Sequence, residues 1–198
     1  MYDLNQAEKQ TSADSLIPDG TIVPVHATLR PGGAGEGGWL KRNRDGSCLM
    51  MDFEFTVIEG PYARRKFWTL LTVEGETEGQ QKAADISRSR LRAMLESARG
   101  IDPSDESENA IAGRRVGSLG DFDGLRFWAV VGYEKGKDGY KDKNVLKAVV
   151  TPDRKDWTRL DQTARPSGPS SVPATPSGVS GQPAAVKTSS AGRPSWAA

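Results

Sequence analysis

The chain has 198 residues, 36% of them apolar and 27% charged, with 27 basic and 26 acidic side chains. That length and balance allow one modest core and exclude a protein that holds duplex DNA by bulk positive charge. One cysteine (Cys48) and one histidine (His26) exclude an internal disulfide framework and a zinc site of four Cys or His ligands.

The first run, MYDLNQAEKQTSADS, is polar and has no apolar signal core, and no apolar run approaches the length of a bilayer. The expected address is the cytoplasm, that of the host cell if the chain is phage-encoded, with no membrane partner. Residues 1-18 read as a polar leader. Asp19-Gly20 is a turn signal, and TIVPVHATLR then alternates, with Val23, Val25, Ala27 and Leu29 on one face. Pro24 has no N–H to donate, which predicts an edge strand or a bulge there. Pro31 to Ser47 is a Gly-rich, flexible loop. CLMMDFEFTVI is the clearest strand, with Leu49, Met51, Phe53, Phe55 and Val57 on one face. After the turn EGPYAR comes KFWTLLTV, with Lys66, Trp68, Leu70 and Thr72 opposite the main apolar face.

A helix is predicted from about Lys82 to Arg99, with a stripe of Ala83, Ile86, Leu91, Met94, Leu95 and Ala98 and a stop at Gly100. Arg88, Arg92 and Arg99 lie off that stripe and read as a solvated basic face. Residues 101–124 are polar, with one short helix near Glu106 to Val116. Asp123-Gly124 turns into the strand LRFWAVVGY. A polar loop, EKGKDGYKDKN, leads to the last strand, VLKAVVTP. From Ala164 the chain is rich in Pro, Ser, Ala and Gly. It carries only Arg165, Lys187 and Arg193 as charges, so the first 163 residues are left at about −2. Such a segment cannot bury enough surface to offset its ordering entropy. The expected organisation is the leader, an OB-like binding domain over 19-163 and a disordered tail over 164-198.

The order β-β-β-α-β-β makes the fold mainly β with one helix. It is the order of an OB-fold, a partly open five-stranded barrel. A sheet with a helix on one face is the competing architecture.

Chemistry-bearing patterns are few. Gly33-x-Gly35-x-x-Gly38 matches a dinucleotide-binding pattern, but no helix N-terminus follows to face a pyrophosphate, so the match reads as accidental. Lys41 is outside a Walker context. Glu74, Glu76 and Glu78, and Asp102, Asp105, Glu106 and Glu108, sit in stretches that read as solvated loops rather than a Mg²⁺ site. His26 sits mid-strand, opposite the apolar face. No catalytic site, metal or cofactor is expected.

Two loops carry the best signal. The first holds Trp39, Lys41, Arg42 and Arg44; the second holds Lys135, Lys137, Tyr140, Lys141 and Lys143. Each pairs cations, which neutralise phosphates, with a ring on which an unpaired base can stack. In an OB-fold the loops joining strands 1–2 and 4–5 flank the ligand groove. Trp68 beside Lys66, and Trp128 beside Arg126, are either outer stacking platforms or packed under the helix or the 101–124 segment; packing is favoured for Trp128.

The runs IPDGTIVPV (Ile17–Val25), MDFEFTVIEGPYARRKFW (Met51–Trp68) and ISRSRLRAMLESARG (Ile86–Gly100) resemble a family of small phage and prophage proteins. These proteins are regarded as single-stranded-DNA-binding or left without an assigned role. Gly60, Tyr62, Arg65 and Phe67, with Ala63 at a small position, match the centre of that pattern. The resemblance implies an OB-like barrel acting in phage DNA replication or recombination, with phage replication or recombination proteins as partners. The sequence departs from single-strand-binding proteins that end in an acidic-hydrophobic tip, because it ends GRPSWAA, with Trp196 and no acidic side chain.

The expected function is therefore non-catalytic binding of single-stranded DNA. The alternatives are a phage accessory module that docks a protein through its sheet edge or tail, and a metal-dependent nuclease using the acidic loops.

Overall fold

The period-two alternation of the sequence becomes one antiparallel sheet in the computed structural model, which describes residues 16–136 and 139–163. Its strands are β1 (Ile22–Arg30), β2 (Leu40–Arg42), β3 (Cys48–Val57), β4 (Lys66–Gly75), β5 (Arg126–Glu134) and β6 (Lys143–Val150). Helices α1 (Glu78–Arg99) and α2 (Glu108–Gly113) lie between β4 and β5 in the chain. One edge of β3 pairs with β1 and β2 in succession and the other with β4. β1 in turn carries β5, and β5 carries β6.

The sheet is open rather than closed: β4 and β6 come back into contact but do not pair. Where they meet, the Leu146 backbone N–H donates to the Thr69 hydroxyl oxygen at 2.9 Å. Inside the curl the apolar faces meet around Phe55. Its ring lies 5.5 Å from Phe53 in a stacked pair, 5.2 Å from Phe67, and 5.8 Å edge-on from Phe127. Such aromatic pairs add to the large apolar area each ring removes from water.

The structure corrects several expectations. β1 is an interior strand, not an edge. The Pro24 carbonyl accepts from the Ile58 N–H, but the ladder with β3 starts only at Val25↔Val57, so the N–H that proline lacks falls where pairing has run out. A sixth, three-residue strand, β2, emerges from the loop expected to be flexible throughout. α1 begins at Glu78 because Thr77 and Gln80 form a reciprocal capping box inside the polar run EGETEGQQ. The buried stripe of α1 runs Ala84, Ser87, Leu91, Met94, Leu95 and Ala98, and Ile86 is exposed. Five residues of helix turn Ile86 well away from Leu91, whereas Ser87, four away, stays on its face. Ile17 is buried, not part of a polar leader: its N–H donates to Asn144 Oδ1, and Asn144 Nδ2 donates back to its carbonyl.

The polar 101–118 stretch is tied down through α1. Glu96, 3% exposed, accepts from Arg92 Nε and Arg114 Nε, each at 2.7 Å. Arg114 also donates to the carbonyls of Asp105 and Asp102. Arg99 donates to the carbonyls of Gly113 and Arg115. Arg92 and Arg99 are thus fasteners, not a solvated face. Trp128 packs, as favoured, but its partner is the segment after β6: its indole N–H donates to the Thr158 carbonyl at 2.8 Å. Beyond the last β6 pairing the Gln162 side chain takes over, accepting from the Arg126 N–H and donating to the Arg126 carbonyl.

Candidate nucleic-acid interface

The contact line between β4 and β6 is the floor of an open groove of about 890 Å³. Thr69 and Leu146 form the seam itself. The outer face of β1, β3 and β4 makes one wall, and the ends of β5 and β6 make the other. Register places the first wall in rows: Arg30 beside Asp52 beside Leu70, then Thr28 beside Glu54 beside Trp68. The period of two sends Phe67, Thr69 and Leu71 inward, so the large side chains between them, Trp68 and Leu70, face outward at 45% and 49% exposure.

Trp68 is held in place. Its indole N–H donates to Glu54 Oε2 at 3.1 Å, and Lys66 Nζ lies 2.6 Å from Glu54 Oε1. The Lys66 hydrogen bond, followed by that from Trp68, holds the Glu54 carboxyl below its ordinary range against the opposing pull of burial. On the opposite wall Tyr133 is 46% exposed and its hydroxyl donates to Asp142 Oδ2. That bond raises the Tyr133 phenol above its usual range and lowers Asp142. Asp142 Oδ1 also accepts from the Gly136 N–H at 2.8 Å, which ties Asp142 to the residue two past the end of β5.

Cations line both walls and α1: Arg30, Lys41, Lys143, Lys147 and Arg90. Arg30 and Lys41 both reach Asp52, at 2.7 and 3.4 Å. Lys143 pairs with Glu134 at 3.3 Å and Lys147 with Asp19 at 2.7 Å.

The groove therefore unites Lys41, Trp68 and Lys143 from the residues singled out in the sequence, with Lys66 alongside Trp68. Trp39 lies elsewhere. Its ring is half-buried against Gly37 and Gly120, where an added Cβ would lie 2.9 Å from it, and it does not line the groove. Arg42 turns back to donate to the Gly46 carbonyl. Arg44, Lys135, Lys141 and Tyr140 are exposed on the loops and do not line the groove, Tyr140 at 81%. Lys137 lies outside the described residues, as do the tail and Trp196. Sequence reasoning missed Arg30, Arg90, Tyr133 and Lys147. The signal for Tyr133 was a large ring at a strand end beside a basic loop; for Arg90 it was its position one turn beyond the outward Ile86.

The acidic stretches and the glycine pattern are engaged in local structure. Asp102 and Asp105 accept from the neighbouring Ser104 and Ser107, bonds that hold both carboxyls below the ordinary range. No cluster of three or more His, Cys, Asp or Glu side chains is arranged to hold a metal among the described residues. Gly33, Gly35 and Gly38 sit with positive φ in the loop before β2, around a three-residue 3-10 turn. His26 is half-buried on the outer face, held below its usual range by burial and then by Arg126. No described helix is long and apolar enough to cross a membrane. Neither protein-family models nor curated proteins yield a match to the chain.

Proposed function

We propose that this protein binds single-stranded DNA, without catalysis, in the groove over the β4–β6 seam. The observation that carries this reading is the pair of half-exposed rings, Trp68 and Tyr133, on opposite walls of a groove that also holds five cations. Half-exposed rings beside cations suit unpaired bases, which offer a stacking face that paired bases keep inside the duplex. A net charge of about +2, left after the groove's three carboxylates are set against its five cations, suits the passage of a sugar–phosphate backbone.

The reading extends to architecture. We take the open sheet as an OB-type barrel parted along one seam: β1, β3, β4, β5 and β6 serve as its five strands, with α1 between the third and fourth. In that barrel type the second and third strands and the two flanking loops bind oligonucleotides. Here those are β3, β4 and the chain leading into β3 and β6, which brings Lys41 and Lys143 to the groove. The resemblance to small phage and prophage single-stranded-DNA-binding-like proteins agrees, and brings with it a role in replication or recombination.

The test is a fluorescence titration of the full chain with a labelled oligo-dT of about thirty nucleotides, competed with duplex DNA and with RNA of equal length. Binding that duplex fails to displace supports the reading. Displacement by duplex at equal concentration, or no binding at low salt, removes it; preferential displacement by RNA moves the ligand to RNA.

A further inference from the structure

Four of the five cations in the groove are already answered by carboxylates of the protein itself. Arg30 and Lys41 share Asp52, Lys143 has Glu134 and Lys147 has Asp19. Five positive and three negative side chains leave the groove at a net charge of about +2. Arg90 differs from the other four. It projects from α1 into the groove and is partly buried. Among the described residues its side chain makes no hydrogen bond or ion pair. A guanidinium with no protein partner keeps its five donors available in a fork that fits a phosphate.

We infer that Arg90 is the phosphate anchor of the groove, and that the paired carboxylates keep the remaining cations from acting as independent phosphate sites. The inference rests on the groove being the single-strand site, and it specifies how that site works. A phosphate that approaches Lys143 or Lys147 meets a cation whose charge is already balanced. It displaces few counterions from the DNA, so salt hardly weakens that contact. Stacking on Trp68 and Tyr133 then supplies most of the affinity, and Arg90 fixes where the backbone lies. Asp19 and Glu134 become selectivity residues. They withhold charge from polyanions that offer phosphates without free bases, duplex DNA among them.

The experiment is oligo-dT titration across a salt series for the wild type, Arg90→Ala, Arg90→Lys and Glu134→Gln. Each uncompensated cation contributes roughly 0.7 to the slope of log affinity against log salt on a single strand. The wild type is expected near −1.4, where five independent cations would give about −3.5. Arg90→Ala should lower affinity about tenfold and flatten the slope by roughly 0.7. Arg90→Lys should keep the slope and lose part of the affinity, because lysine carries the charge without the fork. Glu134→Gln should bind more tightly, steepen the slope by roughly 0.7 and compete less well against duplex. Unchanged thermal midpoints confirm that the substitutions leave the fold intact.

A wild-type slope steeper than about −2.5, or a Glu134→Gln protein indistinguishable from wild type, overturns the charge-balance argument. Binding by the wild type together with full binding by Arg90→Ala overturns the anchor alone. A wild type that binds no oligo-dT at low salt overturns the groove reading itself and the anchor with it.

Discussion

The groove and the α1–α2 junction are built from the same chemistry and put it to opposite ends. At the junction, Glu96 is 3% exposed and holds Arg92 and Arg114 at 2.7 Å. In the groove, Glu134 and Lys143 meet at 3.3 Å with both side chains more than half exposed. Burial decides the difference. Water cannot replace a partner lost from Glu96, so the junction fastens the polar 101–118 stretch to the helix. Water and salt readily replace Lys143 or Glu134, so that pair adds little to stability.

The largest effect expected from breaking this contrast is at the junction. Glu96→Ala should cost about 3–5 kcal/mol in urea unfolding, because it leaves two guanidiniums beside a buried site without their carboxylate. Glu134→Gln should change stability by less than about 0.5 kcal/mol. Comparable losses for the two would erase the distinction. Next comes the groove's own binding energy. Replacing Trp68 and Tyr133 together with Ala should remove roughly 1–3 kcal/mol of oligonucleotide affinity per stacked base and leave the protein cooperatively folded. A further variant separates Trp39, which precedes β2, from Trp68, which lies within β4. Trp39→Ala should lower stability by roughly 1–3 kcal/mol through lost packing on Gly120 and leave oligonucleotide affinity unchanged. Weakened binding with full stability would return Trp39 to the interface.

The smallest effect concerns pH. The Glu54 carboxyl titrates below its ordinary range because Lys66 and Trp68 donate to it. A carboxyl lowered in the fold adds stability that is present above its unfolded value and fades as pH falls through its folded value. Glu54→Gln should therefore lower stability slightly at neutral pH and flatten the acid side of the profile, the two proteins converging as pH falls. An unchanged acid limb would show that the Lys66 contact contributes nothing in solution.

The strands were legible because one face of each is buried and the other is not, and that contrast is written locally, as in Phe53, Phe55 and Phe67. What was hidden depended on distant chain. Whether Pro24 sits on an edge is decided by where β3 ends. Whether Trp39 is free is decided by Gly120, about eighty residues on. The two loops were visible as basic and aromatic, but the groove draws as much from α1, β1 and β6, through Arg90, Arg30 and Lys147, and no local pattern joins those three. Loop charge also misled about availability, since Lys41 and Lys143 each have a carboxylate within 3.4 Å.

Gln162 has a consequence for the company this chain keeps with itself. Its side-chain amide occupies both main-chain hydrogen-bonding groups of Arg126, at the point where β6 has already turned away from β5. A strand end left bare there would offer a donor and an acceptor in the geometry that recruits a strand from a neighbouring molecule. One glutamine closes that opening with a single side chain and adds no strand, so the protection against edge-to-edge aggregation resides in a residue that lies past the last strand of the sheet.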